Sequence, residues 1–353
     1  MQSQQSNEGP TLSEFPSDYE LIDFGRGRKL ESFGSVVLDR PCPAANCQVS
    51  IAKAWESAKL IFDPSPDRSG HWHCLQGENN PTDPWIVETN TSSACSQAGL
   101  IVSHAIPGCM KPNDRLLRLI VRPQTSGQVG LFPEHWQQWP WFSTQLERWR
   151  NRHSASANDA SSASMLPSNF QPLPRVLHLF AYTGATTLAL AAVGAEVTHV
   201  DAMRSAVDWA RENCRASDMG SLPIRWIVDD ARKYIDREQK RGKKYDLVLL
   251  DPPSYGHGAS GEAWVIQRDL EPLLRRCAEL ISNQGIGIVL TGHSLDIDLQ
   301  RLHHTVCETT KTFGKAVFET ERSVLTDRSG KTLDCGYVVR FLTDSAYQSK
   351  PWR

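Results

Sequence analysis

At 353 residues the chain exceeds the ~250 residues at which a single hydrophobic core usually stops growing, so two domains are expected. Hydrophobic residues make up 40% and charged residues 22%, with a formal net charge of -2, which excludes disordered, fibrous and membrane-embedded classes. A polyanion partner would therefore depend on local basic patches, because Lys and Arg contacts to phosphate supply most non-specific affinity.

The nine cysteines are scattered and odd in number, which suits free thiols in a reducing, cytoplasmic compartment. The opening MQSQQSNEGPTLSEFPSD lacks the basic start and apolar core of a signal peptide, and residues 1–18 read as a flexible tail. No apolar run approaches the ~20 residues that span a bilayer, so no membrane contact is expected. His71, His73 and Cys74 in HWHC lack paired CxxC spacing with Cys42 and Cys47, and no metal is expected.

Residues 19–145 read as a small, mostly-β domain for substrate recognition or packing, with strands at YELIDFG, SFGSVVLDRP and LLRLIVRPQTSGQVGLFP. Val36 to Leu38 lie between Gly34 and Pro41, and Leu116 to Val121 precede Pro123 and Gly127, as strands closed by turns do. Trp136, Trp139 and Trp141 in HWQQWPW form either an anchor for domain packing or a platform on which a base stacks. Residues 146–172 run from a short basic segment into SASANDASSASMLPSNFQP, a composition that reads as a linker. No repeat at a solenoid or propeller period is visible.

Residues 173–345 alternate strand and helix signals, and 346–353 form a second tail. Strands RVLHLFAY, EVTHVDA, IRWIVDD, YDLVLLD and GIGIVLTG are separated by helical patterns such as ATTLALAAVG and SAVDWARENC. Apolar runs buried on both faces predict a mostly parallel, doubly wound sheet. Two further strands, at Val317 and at Tyr337 to Leu342, predict an antiparallel edge hairpin, giving seven strands in all.

Ligands of such sheets bind beyond the carboxyl ends of the strands, so the residues that end each strand belong together. Strand one ends in Phe180, Ala181, Tyr182, Thr183 and Gly184, where the glycine admits close backbone approach. Strand two ends in Asp201, followed by Ala202 and Met203, at the distance where an acid grips ribose hydroxyls. Strand three ends in Asp229 and Asp230 before Ala231, placing a carboxylate for an adenine amino group. FAYTGATTLA has one glycine and not the GxGxxG that holds a pyrophosphate, which disfavours a dinucleotide. S-adenosyl-L-methionine needs a tight turn, ribose and adenine acceptors and no phosphate site, and it is the expected cofactor.

Strand four ends in Asp251-Pro252-Pro253-Ser254-Tyr255. Two prolines fix φ and remove backbone donors, so the segment forms a stiff ledge whose carbonyls face a planar amine or base edge. Asp251, Pro252, Pro253 and Tyr255 are the expected catalytic set, with Asp251 also bordering the cofactor. The bland reading of each acidic strand end is a helix cap, and of Pro-Pro a mere turn.

With FAYTG, VDA, VDDA and DPPSYG established, Arg175 to Leu342 resembles the bacterial 23S rRNA methyltransferases that form 5-methylcytosine or 7-methylguanosine. The resemblance implies a Rossmann-like class I methyltransferase domain, with rRNA processing as its setting. GLFPEHW resembles, loosely, the TG-x-(F/Y)-x-D-Q-R stretch of the family's small β domain, and no separate N-terminal RNA-binding PUA domain is expected. The 5-methylcytosine members carry a cysteine just after strand five, because cytosine C5 becomes nucleophilic only once a thiolate adds to C6. Here that segment is LTGHSLD, and Cys277 and Cys307 read as core thiols.

Direct displacement on a ring or exocyclic nitrogen is then the simplest route, with Asp251 orienting the amine, Tyr255 stacking on a base, and His257 and His293 as candidate proton acceptors. Basic clusters at Arg26 to Lys29, Arg148 to His153 and Arg232 to Lys244 fit an RNA substrate if they line one face with the site. If they scatter, a small-molecule or protein acceptor is equally reasonable. A third reading is a SAM-binding module without catalysis. The sequence sets no oligomeric state.

Overall fold

The computed structural model describes residues 18–66, 69–75, 83–90, 116–159, 172–257, 261–293 and 317–343, with 300, 304, 308 and 346. The expected tail at residues 1–18 apart from Asp18, most of the second tail and the second half of the expected linker lie outside the described residues.

The N-terminal region is a five-stranded sheet in the order β1 (Tyr19–Gly25), β2 (Arg28–Phe33), β3 (Val36–Pro41), β4 (Leu60–Pro64) and β5 (Gly70–Cys74). All pairs are antiparallel except β3 with β4. A separate ribbon pairs β6 (Trp85–Asn90) with β7 (Leu116–Val121).

From Gly130 the chain passes through a 3-10 turn, Pro133–Gln138, into α1 (Trp139–Asp159). The segment expected to be a linker from Leu146 is thus helical as far as Asp159. Trp139, Phe142, Leu146 and Trp149 recur at three- and four-residue intervals and are all buried, which anchors the helix ahead of its Ser- and Ala-rich last turns. The Trp139 indole donates to the Thr186 hydroxyl at 3.3 Å, and Arg150 donates to the carbonyls of Val193 and Gly194 at 2.8 and 3.2 Å. Trp136 and Trp141 pack on the same core, so the tryptophans are an anchor and not a platform.

The C-terminal sheet runs β10 (Ile224–Val228), β9 (Glu196–Asp201), β8 (Arg175–Leu179), β11 (Leu247–Leu250), β14 (Gly287–Gly292), β16 (Thr332–Leu342) and β15 (Val317–Thr326). The first five are parallel, and β16 inserts antiparallel between β14 and β15. Helices α2 (Ala185–Ala192), α3 (Arg204–Ala216), α4 (Ala231–Lys240) and α5 (Ile266–Leu280) connect the parallel strands. The seven strands and the edge hairpin match the arrangement read from the sequence.

Strand β7 docks its free edge on α3. Ile120 N donates to Asn213 Oδ1 at 2.8 Å, Arg118 N to Ser217 Oγ at 2.9 Å, and the Trp209 indole to Ile120 O at 3.1 Å. Side chains of α3 thereby satisfy an edge that would otherwise remain open for pairing. Among the described residues no helix is long and apolar enough to cross a membrane.

Candidate functional site

The turn after β8 is strained and tightly held. Phe180, Tyr182 and Gly184 have φ of 55°, 48° and 80°, and two of these are not glycine, a conformation costing of order 1–3 kcal/mol each that clusters at functional sites. Restraints come from β9, α3 and the segment before the 3-10 turn. Ala181 N donates to Val200 O at 3.1 Å, Tyr182 N to Asp201 Oδ2 at 2.8 Å and Asn213 Nδ2 to Thr183 O at 2.9 Å, while the Thr183 hydroxyl donates to Gly130 O. Burial pushes the Tyr182 phenol up to about 12.

At the end of β9, Asp201 accepts Tyr182 N on one oxygen and Met203 N, at 2.9 Å, on the other. Burial raises its carboxyl, and these two backbone bonds only partly offset the rise. Each oxygen retains a lone pair for a hydroxyl donor. Met203 is exposed, and Ala202 lies between it and Asp201.

Asp230 at the end of β10 is occupied more fully. It caps α4, accepting Arg232 N at 2.8 Å and Lys233 N at 3.3 Å, and its carboxylate also takes the Arg232 guanidinium at 2.7 and 3.1 Å. Burial opposes ionisation, but Arg232 holds this carboxyl below the usual range. Ala231 is buried in the first turn of α4. Asp229 pairs with Arg237.

Asp251 follows β11, and its N–H donates to Leu179 O at 3.4 Å, beside the turn after β8. The Thr291 hydroxyl donates to Asp251 Oδ1 at 2.7 Å. Burial works to raise this carboxyl, and the imidazoles of His135 and His293 with the Thr291 bond outweigh it, keeping Asp251 ionised. Pro252 is buried and Pro253 exposed. The ledge offers fewer free carbonyls than expected, because Pro253 O accepts the Trp264 indole at 2.7 Å and Ser254 O accepts Ile266 N at 3.0 Å. Those bonds serve a short hairpin of β12 (Tyr255–His257) with β13 (Ala263–Val265), which stiffens the segment beyond what two prolines achieve. Trp264 also packs on Phe180 at 4.9 Å between ring centroids, joining the DPPSY wall to the turn. Tyr255 is 54% exposed at the rim. The side chain of His257 lies outside the described residues.

The wall that sequence reasoning missed comes from GLFPEHW. His135 Nε2 lies 3.6 Å from Asp251 Oδ2, and His293 Nε2 lies 3.6 Å from Glu134 Oε1. Phe132 sits among His135, His293 and Tyr182 at 5.7 to 6.2 Å between ring centroids. His293, one of the two expected proton acceptors, is therefore at the site. No sequence spacing links Glu134 and His135 to strands that begin more than a hundred residues later. Cys277 is a core thiol, fully buried in α5 with its pKa pushed up by burial. Cys307 and Ser294 lie outside the described residues.

Residues 161–308 match the family of S-adenosylmethionine-dependent methyltransferases. The solved structure of a SAM-dependent methyltransferase from Agrobacterium tumefaciens aligns over 92% of this chain and 90% of its own, at 30% identity and a TM-score of 0.74. This chain belongs to the S-adenosylmethionine-dependent methyltransferases. The methyltransferase is also 38% identical over 112 residues to the ribosomal RNA large subunit methyltransferase K/L of Syntrophotalea carbinolica. Over 114 residues it is 30% identical to the large subunit methyltransferase K of Neisseria meningitidis serogroup B. These matches span 31% and 32% of this chain, and only 15% and 32% of those two proteins.

Proposed function

We propose that this methyltransferase transfers a methyl group to a base of RNA by direct in-line displacement. The observation that carries the reading is Asp251, a carboxylate kept ionised beside the strained turn and at the head of a braced Pro-Pro ledge. When bound, S-adenosylmethionine supplies a methyl group made electrophilic by its sulfonium.

The donor set suits that cofactor. Phe180, Ala181, Tyr182, Thr183 and Gly184 would enclose its amino-acid end, and Asp201 would accept ribose hydroxyls with Ala202 and Met203 alongside. Asp230, already engaged by Arg232, and Ala231 would border the adenine more by position than by donating a free acceptor. Asp251 orients the acceptor nitrogen and takes its hydrogen bond, with Pro252 and Pro253 fixing the approach and Tyr255 stacking on the base.

The RNA assignment draws on the ribosomal RNA methyltransferases to which this chain is similar. One observation favours a small-molecule or protein acceptor as a second reading: the basic clusters are largely engaged internally. Arg28 pairs with Asp39 and Lys29 with Glu31, Arg150 is buried on α2, and Arg232, Lys233, Arg237 and Arg241 each pair with an acid.

Incubation with methyl-labelled cofactor and fractionated RNA, protein and small molecules separates the readings. RNA methylation predicts label in RNA and turnover that falls steeply with salt; label confined to another fraction rejects it. Asp251→Asn should lose transfer by about 100-fold or more while still binding S-adenosylhomocysteine.

A further inference from the structure

Glu134, His135, Asp251 and His293 bring two carboxylates and two imidazoles together at the carboxyl ends of β11 and β14. One ligand atom from each of His135, Asp251 and His293 lies within 4.8 Å of the others. The His135–Asp251 and His293–Glu134 separations are both 3.6 Å. That is too long for a hydrogen bond, yet near the ~3.3 Å between two ligands of a tetrahedral ion with bonds of ~2.0 Å.

One carboxylate of the cluster is also incompletely satisfied. Glu134 is 6% exposed, and its second oxygen, Oε2, is buried without a hydrogen-bond partner among the described residues. The Tyr337 hydroxyl, buried and likewise unpartnered, lines the same cleft. None of the ten residues lining that cleft is Lys or Arg. A buried carboxylate is normally paired or bound to a metal.

We propose that His135, His293 and Asp251 form a binding site for one divalent transition-metal ion of the Zn²⁺ or Mn²⁺ type, with Glu134 beside His293 as its supporting carboxylate. Two imidazoles, which bind a metal through an unprotonated nitrogen, and a carboxylate are a donor set suited to such ions, and Asp251 with the neighbouring Glu134 supplies two negative charges to match the ion's two positive ones. Binding draws the three ligand atoms, now within 4.8 Å of one another, toward the ~3.3 Å spacing of a tetrahedral set. The His293 side chain is 45% exposed, so the ion keeps a side open to an acceptor oxygen or nitrogen. Its use in orienting the acceptor rests on the function proposed above; the existence of the site does not.

The test is titration of the full-length, chelator-treated protein with Zn²⁺ by calorimetry, and with Co²⁺ followed by visible absorption. One equivalent should bind, and His293→Ala and Glu134→Gln should each weaken binding by about 10–100-fold. His73→Ala is the control, since His73 stands 3.2 Å from Asp63 on the N-terminal sheet and offers a competing surface site. S-adenosylhomocysteine affinity reports that each variant is folded; if Glu134→Gln is not, His293→Ala, at a half-exposed position, decides alone. Absence of binding to the wild-type protein overturns the proposal, as does wild-type affinity in His293→Ala or loss of binding in His73→Ala alone. Metal binding without any methyl transfer would reject the proposed function and leave the metal site standing.

Discussion

Beneath the cofactor turn lies a pair of histidines whose burial makes the fold sensitive to acid. His178 on β8 and His199 on β9 are 5% and 0% exposed, and Thr187 on α2 joins them, with its hydroxyl 2.8 Å from His178 Nδ1 and 2.9 Å from His199 Nδ1. With both rings neutral, the hydroxyl donates to one and accepts from the other. Burial is the main cause that lowers both rings to about 3, from 6.5. The sign follows directly. Between pH 6.5 and 3 the unfolded chain binds two protons that the folded one refuses, so stability falls as pH drops through this window. At pH 5 each ring is 1.5 pH units below its unfolded value, a cost of about 2 kcal/mol per ring and about 4 kcal/mol for the pair. That is a large share of the ~5–15 kcal/mol that holds a domain folded. Urea denaturation at pH 7.5 and pH 5 measures it. His199→Gln should lower stability at pH 7.5 through lost packing, yet shrink the difference between the two pH values by about 2 kcal/mol. A difference undiminished in that variant would refute the assignment of the acid sensitivity to these rings.

Three further outcomes follow from the cofactor wall. Gly184→Ala places a Cβ 2.8 Å from that of Ala210 in a left-handed residue, which costs about 1–2 kcal/mol for the backbone alone; thermal denaturation and S-adenosylhomocysteine calorimetry should both register the loss. Asn213→Ala removes the acceptor of the part-buried Ile120 N–H and leaves the buried Thr183 O without its donor, an expected loss of about 1–3 kcal/mol in denaturant unfolding accompanied by weaker cofactor binding. Asp201 accepts hydroxyls best when ionised, and its carboxyl is raised by burial, so cofactor affinity should begin to fall at a higher pH than an ordinary carboxylate would set. Calorimetry across the acid range should show that fall in the wild type and its absence in Asp201→Asn.

Much of the C-terminal half was legible because its signals are local. Apolar runs such as Leu247–Leu250 end at a carboxylate, and sheet topology collects those ends at one edge without further information. The N-terminal strands were legible only in part. β1 and β2 carry Asp23 and Glu31 at 0% exposure, Asp23 holding Ser50, Ile51 and Trp55, and Glu31 holding Arg40 and Lys29. Charges inside a strand erase the alternation on which a sequence reading depends. α1 was hidden for the opposite reason: its last turns, from Ser154 to Asp159, carry the Ser/Ala composition of a linker, although buried residues from Trp139 to Arg150 precede them on the same helix.

The site itself divides along the same line. The wall proposed for the cofactor is built from the ends of adjacent strands, each legible from its own local run. The acceptor wall needs Glu134 and His135 from the far side of α1, and only the folded chain brings them to Asp251 and His293. The N-terminal segment also holds the cofactor turn, through Gly130 O on Thr183, while Ile120 on β7 shares Asn213 with that turn. On the site assignment proposed above, a motion of this segment would disturb cofactor and acceptor together. That is the physical reason to treat residues 116–139 as part of the methyltransferase centre, and to seek the determinants of acceptor choice there as well as in DPPSY.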